Sequence, residues 1–115
     1  ARKEIGVDAV DIQTALLDFI MYFKEIQGDN KVTDINVWGN PSTLDLGIMS
    51  NAFERTKIVT PWHYRNERDL RTLVAFYPEI KSTQKTIGVL HHPVDDCKTQ
   101  IAYAKAIYSK LMSGK

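Results

Sequence analysis

The amino-acid sequence predicts an α/β domain, and three observations point there. Apolar residues recur at helical spacing in several separate segments. A β-branched and aromatic stretch, carrying Val32, Ile35, Val37 and Trp38, reads as a buried strand. That strand stands nearly alone, and its backbone groups need strand partners on both sides.

The elements follow in chain order. Ile12, Ala15, Leu16, Phe19, Ile20 and Phe23 define an amphipathic first helix, with Asp11 or Asp8 as its N-cap. The Gly-Asp-Asn run at residues 28–30 ends it. The strand over residues 31–39 comes next, followed by a Gly-Asn-Pro-Ser turn. Leu44, Ile48, Ala52 and Phe53 give a second helix, with Ser42 or Thr43 able to cap it. Pro61 bars a helix in the following segment. Residues 63–76 can hold a short strand and then a helix from about Asp69 to Phe76, which Pro78 stops. Residues 79–93 read as a loop. Cys97, Ile101, Ala104, Tyr108 and Leu111 trace the apolar stripe of a last helix, a place that favours burial of the cysteine.

Size and composition fit one domain, residues 1–115, with 43% hydrophobic and 25% charged residues. No apolar run approaches the length needed to cross a bilayer. The opening residues lack the pattern of a signal peptide, and a cytoplasmic location is expected. A single cysteine excludes an internal disulfide and any multi-cysteine zinc site. A formal charge of +1 argues against a protein that coats duplexes electrostatically. It leaves open a nuclease that meets phosphate through divalent cations, because the ions then carry the local positive charge.

Three segments hold candidate chemistry. In "LHHPVDDC", residues 90–97, His91 precedes Asp96 by five positions, at the start of the last helix. A carboxylate there can hold a divalent cation, and a neutral imidazole beside it can take a proton from water. The other reading is a pair of helix-start aspartates beside solvated histidines. Asp45 follows the strand and the Gly-Asn-Pro turn, a common place for a functional carboxylate in open α/β folds. Taken alone, it reads first as a helix-start residue favoured by the dipole. The run "WHYRNERDLRT" gathers three arginines and aromatic rings, which suits phosphate contact and base stacking. A salt-bridged loop is its alternative. A zinc hydrolase built on His91 and His92 lacks an evident third ligand.

Taken together, "WGNPSTLD", "PWHYRNERDLRT" and the His91/Asp96 step resemble the DEDDh 3′-5′ exonucleases of the ribonuclease H-like fold. The resemblance is to the RNase T-like branch of phages, prophages and some bacteria, and runs from about residue 1 to residue 112. It implies a three-layer α/β fold. Asp45 takes the place of the second-motif aspartate, with Leu44 where phenylalanine is more usual. His91 and Asp96 take the places of the final motif.

By that resemblance, Asp45 and Asp96 are metal ligands and His91 is the general base, the three forming the catalytic set. Two Mg²⁺ or Mn²⁺ ions are the implied cofactors. Trp38, Asn40, Trp62, Arg68 and Asp69 are assigned to nucleotide contact or to shaping the pocket, with Asp69 alternatively anchoring a helix start. The implied partners are single-stranded DNA or RNA 3′ ends and, as in relatives, a second copy in a homodimer. No membrane partner is expected. The family's first motif, Asp-x-Glu on a first strand, is absent. The chain therefore reads as the carboxyl-terminal part of such an exonuclease, with its first β-strands elsewhere, and as deficient in activity by itself. A non-catalytic remnant that binds nucleic acid or protein is the alternative.

Overall fold

The computed structural model describes residues 11–113. Asp8, the rival cap, lies outside them. The chain forms a mixed α/β structure, mostly helical, with one small parallel sheet of two strands among the described residues. It divides into two compact units, Ala1–Arg68 and Asp69–Lys115.

The first unit begins its described part with α1, Ile12–Gln27. Asp11 caps it, accepting from the Thr14 amide at 2.8 Å and the Thr14 hydroxyl at 3.1 Å. Gly28 ends it at φ 53°, with its amide bonded to the Lys24 carbonyl. The predicted stripe is present, but Ile12, in the first turn, is 54% exposed.

The strand expected over residues 31–39 shrinks to β1, Val37–Gly39. Residues Val32–Asp34 form a 3₁₀ turn instead. The Asp34 carboxylate accepts the Lys31 amide at 3.3 Å, an alternative to strand pairing for this backbone. The partner of β1 is β2, Glu67–Asp69, in the segment where a short strand was expected.

Helix α2, Ser42–Thr56, buries Leu46 and Phe53 and partly buries Met49 and Ala52. This corrects the predicted face, since Leu44 and Ile48 are 55% and 61% exposed. Its N-cap is Pro41, and Ser42 and Thr43 are the first two residues of the helix. Leu16, Phe23, Phe53 and Trp62 form the core of this unit. The rings of Phe19, Phe53 and Trp62 meet edge to face, with centroids 5.8–6.4 Å apart. Such pairs add about 0.5–1.5 kcal/mol each beyond the area they bury.

The second unit packs α3, Leu70–Val74, and α4, Pro78–Thr83, against α5, Pro93–Ser113. Helix α4 falls where a loop was expected. Pro78 does end the preceding helical segment, but it also occupies the first position of a new helix, where its missing N–H costs nothing. Leu70, Tyr103 and Ile107 are the buried core, with Leu73, Tyr77, Ile80, Ala104 and Leu111 packed around them. Cys97 is exposed, contrary to expectation, as are Ile101 and Tyr108. The helix carries apolar residues on two faces, and Tyr103, Ala104, Ile107 and Leu111 make the one that is buried.

Candidate functional site

In the first unit, the candidate residues gather at the turn from β1 into α2. Trp38 lies on β1 and is 45% exposed. Gly39 is buried, and a Cβ built there stands 2.6 Å from the Ser42 Cα, so only glycine fits where α2 folds back on the strand. The Asn40–Pro41 peptide is cis. The Asn40 amide donates to Asp45 Oδ2 at 2.8 Å. Asp45 is exposed, sits in the first turn of α2, and donates its own amide to the Pro41 carbonyl at 3.1 Å.

In the second unit, the loop before α5 is tied to the start of the helix at several points. The His91 amide donates to Asp96 Oδ1 at 3.1 Å. The Val89 amide donates to Asp95 Oδ2 at 2.9 Å, and the Ile87 amide to the Thr99 hydroxyl at 2.9 Å. Gly88, at φ 68°, passes so near Asp95 that a Cβ there would collide with the carboxylate. His91 holds a left-handed backbone at φ 67° and is exposed. Its main chain, not its ring, contacts Asp96. His92 Nδ1 lies 3.8 Å from Asp95 Oδ2 and accepts the Asp95 amide at 3.4 Å.

The two ends share one device. Each aspartate stands at the fourth helical position, and each accepts the amide of the residue five positions earlier. One carboxylate oxygen is thereby committed. The other makes no hydrogen bond or ion pair among the described residues. Chemically, each end offers a carboxylate held in place at the start of a helix. The second end adds an exposed imidazole, the side chain suited to proton transfer near neutral pH.

A divalent metal asks for more. Within either unit, no group of three or more His, Cys, Asp or Glu side chains among the described residues is placed to hold an ion. Mg²⁺ takes six oxygen ligands in near-octahedral geometry. The described donors of each unit do not supply a metal site by themselves.

The remaining sequence candidates are largely occupied by the fold. Trp62 is 4% exposed, a core residue whose indole N–H donates to Glu67 Oε2 at 2.8 Å. Its ring therefore shapes the unit from within. Arg68 donates from one nitrogen to the carbonyls of Arg65 and Glu67, at 2.8 and 3.2 Å. Asp69 caps α3, accepting the Thr72 amide at 2.9 Å and the Thr72 hydroxyl at 3.0 Å. Sequence reasoning missed Asn66, which is buried and donates to the Thr33 carbonyl and to Asn36 Oδ1. The "NERDLRT" run is thus in good part a folding device.

The chain thus carries an aspartate at two helix starts and an exposed histidine in the loop before the second. Over residues 1–108 it matches the family model described as the 3′-5′ exoribonuclease Rv2179c-like domain, so the chain belongs to that exonuclease family. No curated protein and no solved structure matches it. Among the described residues, no helix is long and apolar enough to cross a membrane.

Proposed function

We propose that the chain is part of a metal-dependent 3′-5′ exoribonuclease that trims single-stranded RNA from its 3′ end and releases nucleoside 5′-monophosphates. The family match over residues 1–108 carries this reading, and its description favours RNA over DNA. The motif resemblance adds the finer assignment: DEDDh type, RNase T-like branch, ribonuclease H-like fold. Asp45 and Asp96 are assigned as metal ligands and His91 as the base that takes the proton from the attacking water. Mg²⁺ or Mn²⁺ is the proposed cofactor, and it would supply Lewis acidity at the phosphate. Trp38 and Asn40, exposed or half-buried beside Asp45, are assigned to the nucleotide. A homodimer and a cytoplasmic setting belong to the same reading.

The acid count limits the polypeptide. The sequence contains no Asp-x-Glu to complete four carboxylates. The 115-residue chain by itself is therefore proposed to bind metal weakly and turn over little. The test is release of mononucleotides from 3′-labelled single-stranded RNA with Mn²⁺. Release at the background of metal alone is expected, and robust release refutes the count. A second reading, a non-catalytic module that holds nucleic acid, is favoured by the lack of a three-donor group in either unit among the described residues. It predicts that RNA binds but is never cut, even in the protein as its own cell makes it.

A further inference from the structure

The turn before β2, within the run whose arginines and rings suit phosphate contact and base stacking, displays a stack of two rings. His63 and Tyr64 rings lie 4.8 Å apart at 22°, so His63 backs one face of the tyrosine. Tyr64 is nonetheless 69% exposed. Arg65 Nε donates to the Tyr64 hydroxyl at 3.1 Å, and its guanidinium lies over the ring, the central carbon 5.7 Å from the centroid, so a base that stacks on Tyr64 meets this cation at the same ring. Among the described residues no carboxylate pairs with Arg65. An exposed aromatic ring and a guanidinium with no carboxylate partner among the described residues are thus held together in water.

The turn beneath them is rigid. Asn66 pins it to the Thr33 carbonyl and Asn36, Arg68 ties down the Arg65 and Glu67 carbonyls, and the Arg65 amide donates to His63 Nδ1 at 3.1 Å. Preorganised side chains lose little freedom on binding. A flat π-face beside a fixed cation is the pairing that single-stranded nucleic acid meets with a base and its neighbouring phosphate.

We infer that Tyr64, backed by His63, stacks a base of single-stranded RNA while Arg65 meets the adjoining phosphate. This rests on the proposed function and deepens it by naming where the substrate strand is gripped. The grip lies apart from the Asp45 turn. Strands β1 and β2 are parallel, so the Tyr64 turn, which enters β2, stands at the end opposite to the Asn40 turn, which leaves β1. Strands of three residues separate the two ends by about 7–10 Å. The stacked base is then upstream of the terminal nucleotide.

The test is binding of a short fluorescein-labelled single-stranded RNA to the full chain, by anisotropy, in EDTA to prevent metal-dependent cleavage. Tyr64→Ala should weaken affinity roughly fivefold to a hundredfold, and Tyr64→Phe should keep most of it. Arg65→Ala should flatten the slope of log K against log salt by roughly 0.7, the signature of one lost phosphate contact on a single strand. Thermal unfolding checks that the variants fold, and Arg65→Ala carries the test if Tyr64→Ala does not. Wild-type binding with unchanged affinity and salt slope in the folded variants overturns the platform and leaves the exonuclease reading standing. No binding of RNA by the wild-type chain also overturns the platform, and mononucleotide release by the protein as its own cell makes it decides the exonuclease reading separately.

Discussion

The amide of His91 donates to the Asp96 carboxylate at 3.1 Å, and the amide of Asn40 does the same to Asp45 at 2.8 Å. In each case the residue just outside the N-cap is joined to the fourth residue of the helix. These two positions are neighbours at any helix start, which is why a hydrophobic pair there staples the incoming chain. Here the staple is polar. The five-residue step between His91 and Asp96 therefore has a local cause in folding.

The staple predicts an asymmetry between the two residues. Asp96→Ala removes the acceptor and should lower stability by about 1 kcal/mol, read as a shift in the urea midpoint. His91→Asn keeps the amide, and asparagine tolerates the left-handed backbone, so its midpoint should match wild type. An equal loss in both variants would show that the His91 ring is structural.

Trp62 is predicted to behave as core. Trp62→Ala should cost roughly 3–5 kcal/mol in chemical denaturation, because it empties the space between Phe19 and Phe53. Trp62→Phe should cost much less. A near-neutral Trp62→Ala would return the ring to the candidates for nucleotide contact.

Cys97 should react with a thiol reagent in the native chain without denaturant, since it lies on the exposed face of α5. Protection until unfolding would mean that this face is covered in solution.

Burial pushes the Tyr103 phenol above its ordinary value of 10.0, against the opposing charge of Arg71. A folded-state value above the unfolded one gives stability that is fully present below pH 10.0 and lost as pH rises through the folded value. Tyr103→Phe should remove that share of the alkaline loss in a series of melting temperatures against pH. An unaltered alkaline limb would place the titration elsewhere.

The strand read over residues 31–39 keeps only Val37–Gly39, and the cap read at Ser42 or Thr43 falls to Pro41. The existence of helices α1, α2, α3 and α5 was legible, with Asp11 before the first stripe, Asp69 before Leu70 and Pro78 beyond Val74. The buried faces of α2 and α5 were not. Leu44 and Ile48 repeat as regularly as Leu46, Met49 and Phe53, and period alone does not choose between two apolar rows. Helix α4 was hidden because a proline that forbids one helix starts another. Of the candidate site, Asp45, Asp96 and His91 stood out by residue type and spacing. The roles of Arg68, Asp69 and Asn66 did not, because their partners are main-chain groups and side chains that only the folded chain brings near.

The most direct measurement is the rate of mononucleotide release from 3′-labelled single-stranded RNA by the protein as its own cell makes it, comparing wild type with His91→Asn. Because the amide of residue 91 keeps its bond to Asp96 in this variant, folding is spared and only the imidazole is lost. Assignment of His91 as the base predicts a fall of about 10²–10⁴-fold with an unchanged urea midpoint. Turnover at the wild-type rate in a folded His91→Asn protein would contradict it.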